Sequence, residues 1–320
     1  MEITHKGNTL KVIRGIHNFN SVEEGTALTI GSFDGVHLGH QMVLNDLKAA
    51  ASKRGLKSAV MIFEPQPQEY FSGERAPARL MRLRDKLKTF CDLGIDIVVC
   101  LKFDDSLRSL TADAFINIII NGLSAKHLII GDDFRFGCDR CGDFKMLQNS
   151  GTLNNFTVQQ MRTFDVDDKR VSSTSIRKAL IESKFDLAAK LLGKPFEVVG
   201  KVTYGAQVGR KLGFPTANIN LKRYRVPITG VFAVTLRIDK KVYNGAANVG
   251  IRPTVGDLLR PILEVHLLNF SGNIYGKLVS VEFKHKVRDE KKFINIESLV
   301  DNIKNDINWV KKWFIEQNDL

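Results

Sequence analysis

The sequence predicts two domains of different texture: a doubly wound α/β domain, then an antiparallel β domain closed by a terminal helix. Three observations carry that expectation. The 320 residues exceed what one compact domain needs, roughly 150. Between residues 27 and 131, short and almost continuously apolar runs alternate with amphipathic stretches, the pattern of a parallel sheet covered on both faces. After Leu192 the texture changes, with Gly193-Lys194-Pro195 as punctuation and closely spaced β-type runs beyond it.

In order, residues 27–33 (ALTIGSF) predict a strand and 41–53 a helix. Residues 56–63 (LKSAVMIF) predict the next strand, 85–93 a helix, 95–101 (IDIVVCL) a buried strand, 111–121 a helix and 127–131 (HLIIG) a further strand. Ligands of such a domain sit beyond the carboxyl ends of its strands. In the second part, 196–203, 230–238, 241–247, 262–268 and 278–286 predict strands, and 296–315 the closing helix. Their spacing suits an antiparallel barrel or sandwich. The domains are placed at 1–186 and 187–320, with neither an internal repeat nor a long linker.

Composition excludes whole classes. Hydrophobic residues at 43% and charged residues at 26% are those of a globular chain, not a disordered, fibrous or low-complexity one. No apolar stretch approaches the ~18 residues of a membrane span, and the opening MEITHKGNTLKVIRG lacks the apolar core of a secretory signal. Four cysteines make no disulfide framework. A soluble, cytoplasmic protein without a membrane partner is expected. The net charge of +12 is uneven: 25 basic and 23 acidic residues lie up to Asp186, against 22 and 12 beyond it. Basic excess attracts phosphate-bearing partners, or simply keeps a face solvated. Zinc-finger spacing and the aromatic signature of an RNA-recognition sheet are both lacking, so no nucleic acid partner is expected.

The predicted strand ALTIGSF runs into Asp34-Gly35-Val36-His37-Leu38-Gly39-His40 and then a helix. Gly31, Gly35 and Gly39 let backbone approach a ligand closely. The helix N-terminus offers unpaired N–H groups to an anion, and His37 and His40 can donate to a phosphoryl group as charge builds on it. Val171-Ser172-Ser173-Thr174-Ser175-Ile176-Arg177 opens a helix with hydroxyl caps and an early guanidinium, a second phosphate clamp. Each string has a structural reading too, a pair of turn histidines and an ordinary cap. Cys138 and Cys141 form a C-x-x-C without a second pair at metal spacing.

GSFDGVHLGH with VSSTSIR resembles the nucleotidyltransferase superfamily, which moves AMP from ATP onto an acceptor phosphate. With FEPQPQEYF (63–71) and GDDFRFGCDRCGD (131–143), it is similar to the adenylyltransferase half of the bacterial bifunctional riboflavin kinase/FAD synthetases. Ser32 stands where that family more often has Asn, and Gln66 where it has His. The resemblance implies a Rossmann-like nucleotidyltransferase domain. It also implies ATP or phosphate contacts at Gly31, Phe33, Asp34, Gly39, Arg170, Ser173 and Thr174, with catalysis by His37, His40 and Arg177. Asp133 would belong to the adenylate or metal environment, and Pro67 and Phe71 would meet flavin.

In the second part, Gly200–Gly205 and Gly209-Arg210-Lys211-Leu212-Gly213-Phe214-Pro215-Thr216-Ala217-Asn218 form a glycine-spaced basic loop. Gly205, Gly209 and Arg210 suit phosphates. Thr216 and Asn218 alternate on an extended segment, so both oxygens can face one side and suit Mg²⁺ that also holds nucleotide phosphates. GRKLGFPTAN, NVGIRPT (248–254) and LEVHLL (263–268) resemble the riboflavin kinase module, an antiparallel barrel. Tyr204 stands where that family often has His. By resemblance Glu264 is the base for the ribityl hydroxyl, and Arg288 belongs to the flavin side. The implied activity is ATP-dependent: riboflavin to FMN in the second domain, FMN to FAD in the first. Two rivals stand beside it: a kinase with a silent first half, and a flavin- or nucleic-acid-binding regulator.

Overall fold

The computed structural model describes residues 1–19, 22–131, 133–161, 164–167, 169–205, 207–222, 225–253 and 259–318. Asp132 and Thr254, each inside a motif quoted above, lie outside the described residues. Contacts divide the chain into two compact units: Met1–Pro77 with Met81–Ser172, and Ala78–Leu80 with Ser173–Leu320.

The first unit opens with a hairpin absent from the sequence expectation, β1 (Glu2–His5) and β2 (Asn8–Arg14). Lys6 and Gly7 both have positive φ, 49° and 82°, as a two-residue hairpin turn requires. The charges scattered through this segment hide its alternation. The chain continues through β3 (Thr26–Ile30), α1 (Leu38–Arg54), β4 (Lys57–Glu64), α2 (Pro67–Ser72) and α3 (Leu83–Asp92). Next come β5 (Ile97–Lys102), α4 (Asp105–Arg108), α5 (Ala112–Leu123), β6 (Ala125–Ile130), α6 (Phe144–Asn154) and β7 (Thr157–Gln160). A small ribbon, β8 (Asp165–Val166) and β9 (Lys169–Arg170), follows.

Among the described residues the sheet has the order β1-β2-β5-β4-β3-β6-β7. All its pairings from β2 to β7 are parallel. Alternate residues of each central strand feed opposite cores, as a period of two requires. Ala59 and Met61 of β4 join Phe115, Ile119 and Leu123 of α5. Val60 and Ile62 join Val43, Leu44 and Leu47 of α1 and Phe90 of α3. Each Val, Leu, Ile, Met or Phe among them, fully buried, stabilises by about 1.5–3 kcal/mol. The apolar run of the sequence carries on through 31–33, but the strand stops at Ile30 because Phe33, at φ 47°, turns the chain.

The second unit begins with α7 (Ser173–Ile181) and α8 (Phe185–Leu192), which ends at Gly193 in the left-handed conformation, φ 74°. Then follow β10 (Glu197–Thr203), α9 (Val208–Lys211), β11 (Ala217–Asn220), β12 (Gly230–Ile238), β13 (Lys241–Pro253), β14 (Leu259–Leu267), β15 (Leu278–Arg288) and α10 (Ile296–Asn318). Of the barrel and sandwich readings, the strands take the first: a closed antiparallel barrel ordered β10-β11-β14-β13-β12-β15. β13 runs on past the expected 241–247 through the NVGIRP string. From α10, Ile307, Val310 and Phe314 pack on Ala233, Ala246 and Leu268.

Candidate active sites

The turn from β3 into α1 gathers Gly31, Phe33, Asp34, His37, Gly39 and His40. Phe33, Gly35 and Val36 all have positive φ (47°, 84° and 44°). A β-branched residue in that region is strained and persists only where its surroundings enforce it. Three side chains do so. Lys86, buried on α3, donates from Nζ to the Ser32 carbonyl at 2.6 Å. Asp34, 2% exposed, accepts at Oδ1 from the Met81 amide at 3.1 Å, and Gln41 donates from Nε2 to the Val36 carbonyl at 2.9 Å. His37 caps α1, its Nδ1 accepting from the His40 amide at 3.3 Å. In the neutral ring an accepting Nδ1 leaves the proton on Nε2, which makes that nitrogen the donor.

The His37 and His40 rings stack with centroids 3.6 Å apart. Buried Nδ1 of His40 has no hydrogen-bond partner among the described residues. Burial first, then the charges of His37 and Lys86, hold the His40 pKa well below the ordinary 6.5. At neutral pH it is an uncharged imidazole beside a buried lysine, a polar donor set for an anion.

This has a consequence for stability. Below pH 6.5 the unfolded chain protonates this histidine and the folded chain resists, so stability is present above that pH and lost as pH falls through it. His127, also held low by burial and then by Arg54, acts in the same direction. The melting temperature of the first unit is therefore expected to drop progressively below pH 6.5, and His40→Gln to lessen that slope. A slope unchanged by the substitution would remove His40 from the account.

Elsewhere in this unit, Pro67 is the first residue of α2, with Gln66 as its cap. Phe71 is 62% exposed, its ring 5.2 Å from Tyr70, 5.7 Å from Phe103 and 5.9 Å from the Arg108 guanidinium carbon. That is an open aromatic shelf, suited to a planar ring. Asp133 follows the carboxyl end of β6, its Oδ1 close against Gly131. Arg170 is exposed on β9, opposite Asp165. Ser173 and Thr174 open α7, and Arg177 Nε donates to the Ala78 carbonyl at 2.7 Å. These last residues cluster with the second unit.

In the barrel, register does the positioning. Glu264 on β14 lies opposite Asn218 of β11 on one side and Asn248 of β13 on the other. Directly opposed residues share a face, so one carboxylate stands between two carboxamides, and all three line a cavity of about 220 Å³. Arg288 also lines it, its guanidinium held bidentate by Asp306 at 2.9 and 2.7 Å. Behind Thr216 and Asn218 opens a second cavity, about 780 Å³, lined by Arg210 and the stacked pair Tyr204–Tyr275 at 3.9 Å. Thr216 and Asn218 thus line both cavities. Two glycines are demanded by close approach. A Cβ at Gly205 would lie 2.5 Å from the Asn218 carboxamide, and one at Gly209 would lie 2.5 Å from the Phe214 carbonyl.

Lys86 and Asn248 are the residues that sequence reasoning missed as site members. Asn248 sat inside a quoted motif. Lys86 looked like any exposed helix lysine, and only packing reveals its burial.

Residues 19–175 match the FAD synthetase family and residues 192–314 the riboflavin kinase family. A bifunctional riboflavin kinase/FMN adenylyltransferase of Haemophilus influenzae is 49% identical over 95% of this chain and 99% of its own length. Proteins of the same description from Pseudomonas fluorescens and Escherichia coli are 47% and 44% identical over 93% and 95% of this chain, and 96% and 98% of their own lengths. A crystal structure from Streptococcus pneumoniae, described as a macrolide-efflux protein, aligns with a TM-score of 0.77 at 29% identity, over 93% of this chain and 97% of that one. Among the described residues of this chain, no helix is long and apolar enough to cross a membrane. With both halves matched in order and near full-length relatives at this identity, the chain belongs to the bifunctional riboflavin kinase/FMN adenylyltransferase family.

Proposed function

We infer that the barrel phosphorylates riboflavin with ATP, giving FMN and ADP, and that the N-terminal half transfers AMP from a second ATP to FMN, giving FAD and pyrophosphate. One observation carries the site assignment: the Asn218–Glu264–Asn248 row lines one cavity while Asn218 and Thr216 also line another. Riboflavin is assigned to the cavity beside Glu264, and ATP to the basic, aromatic one beside Arg210, with Gly205 and Gly209 shaping the phosphate loop. Glu264 accepts the proton of the ribityl hydroxyl as it attacks the γ-phosphorus. Arg288, already engaged by Asp306, forms a fixed wall on the flavin side.

Mg²⁺ fits Thr216 and Asn218, whose neutral oxygens leave coordination sites for phosphate and water. The close packing of Gly205 on Asn218 supports a fixed ligand. No group of three or more His, Cys, Asp or Glu side chains suited to a metal occurs among the described residues, so phosphates would supply the anionic ligands. When bound, Mg²⁺ would neutralise charge on the transferring phosphoryl group.

In adenylyl transfer the FMN phosphate is itself the nucleophile, so no strong base is needed. His37 and His40 position and neutralise the phosphates, with Gly31, Phe33, Asp34 and Gly39 in the same turn; Arg170, Ser173, Thr174 and Arg177 keep the phosphate-binding role that the family resemblance implies. The shelf at Phe71, with Pro67, takes the flavin ring. Asp133 serves the adenylate. By family match we place the boundary at Asp186, inside the interval 176–191 left between the two matches, whereas by contacts α7 and α8 already group with the second unit. A cytoplasmic site of action and the absence of a nucleic acid partner belong to the same reading.

Incubation with riboflavin, ATP and Mg²⁺, followed by chromatography of the flavins, tests the whole scheme. FMN should rise first and FAD after it. FMN accumulating without FAD would leave the N-terminal half inactive, and no conversion at all would favour a binding protein.

A further inference from the structure

The two proposed reactions give no role to the C-x-x-C of residues 138–141, and its geometry gives it a chemistry of its own. Phe136 and Gly142 exchange backbone hydrogen bonds of 3.1 and 2.9 Å, forming the neck of a hairpin. Inside it the Cys141 amide donates to the Cys138 carbonyl at 3.2 Å, across Asp139 and Arg140, whose φ angles are 51° and 58°. Two left-handed residues in succession make a tight turn within the loop. The residues at the two ends of such a turn have Cα atoms less than about 7 Å apart. A disulfide spans about 4.4–6.8 Å between Cα atoms. A turn closed by the hydrogen bond from Cys141 to Cys138 holds its end residues within the reach of a disulfide, with no rearrangement of the chain.

The hairpin is also well seated. The Cys138 amide donates to the Leu110 carbonyl at 2.7 Å, and a Cβ on Gly137 would meet the Ala112 nitrogen at 2.7 Å. Closing the bond needs little further ordering of the chain. Access separates this pair from the other cysteines: Cys141 is exposed and Cys138 half-buried, whereas Cys91 and Cys100 are buried. Burial, and then the neighbouring Cys141, push the Cys138 thiol above its ordinary range, which leaves the exposed Cys141 as the first to react.

We propose that Cys138 and Cys141 form a reversible dithiol–disulfide site that exchanges with low-molecular-weight disulfides. The Cys141 thiolate attacks a disulfide R–S–S–R, forming a mixed disulfide and expelling RS⁻. Cys138 then loses its proton, attacks the Cys141 sulfur and expels the second RS⁻. Two protein thiols are oxidised by two electrons, one external disulfide is reduced, and the two protons end on the two released thiols.

Equilibration of the full chain in mixtures of reduced and oxidised glutathione tests this, with acid quenching, alkylation and peptide mass analysis. As the mixture becomes more oxidising, labelling at Cys138 and Cys141 should fall together from both thiols to neither. The peptide should lose two hydrogens and carry no glutathione, and dithiothreitol should restore both labels. Cys91 and Cys100 should stay reduced throughout. In Cys138→Ser the reaction should stop at a glutathione adduct on Cys141. Independent oxidation of the two cysteines, each with its own glutathione, or full labelling across the whole series, would overturn the assignment.

Discussion

Replacing Glu264 by Gln is expected to cut FMN formation by about 10²–10⁴-fold, the usual worth of a positioned general base, while FMN supplied directly is still converted to FAD. The substitution keeps the volume of the side chain and its place between Asn218 and Asn248, so the barrel should fold as before. What is lost is the acceptor for the ribityl proton. The loss should fall on kcat rather than on the KM for riboflavin, because the carboxylate acts mainly as the hydroxyl attacks. Separate assays with riboflavin and with FMN check this. If both activities fell together, Glu264 would be serving the fold or a shared step, and its role as base would be withdrawn.

Replacing His37 should have the opposite pattern: FAD formation lowered by about 10²–10³-fold, the worth of one donor to a developing charge, and FMN formation spared. His37 has two jobs, since its Nδ1 also caps α1 through the His40 amide. Loss of a cap costs about 1 kcal/mol, so Ala would mix a stability effect into the kinetics. Asn separates them, because its side-chain oxygen can cap the helix but it has no imidazole to present to phosphate. His37→Asn with a normal melting temperature and poor adenylylation would support the catalytic role. Normal adenylylation in that variant would reduce His37 to a cap.

Both expectations depend on residues whose chemistry was legible early and whose geometry was not. The parallel strands were visible as Val/Ile/Leu runs because burial on both faces demands apolar side chains at every position. The hairpin of β1 and β2 and the edge strand β7 were not, because the edge strands β1 and β7 tolerate the polar residues of EITH and TVQQ, while β2, next to the edge, mixes exposed charges with its buried positions in NTLKVIR. α6 escaped for a similar reason: Gly151 and a run of Ser, Thr and Asn weaken its helical signal, while the Asp143 cap that starts it is a local contact, to the Met146 amide at 2.9 Å.

By itself the sequence determined the chemical inventory: the histidine pair after a buried strand, the hydroxyl-and-arginine helix start, the glycine-spaced basic loop and a lone glutamate in a β run. Local composition suffices for these, because turns, caps and phosphate loops are built from neighbours in the chain. Tertiary structure alone decided which distant residues share a face. The row of Asn218, Glu264 and Asn248 comes from three strands brought into register by barrel closure. Lys86 reaches the Ser32 carbonyl only because α3 packs against the turn that follows β3. Register and packing are set by long-range pairing and by the filling of a common core, and no window of neighbouring residues contains that information.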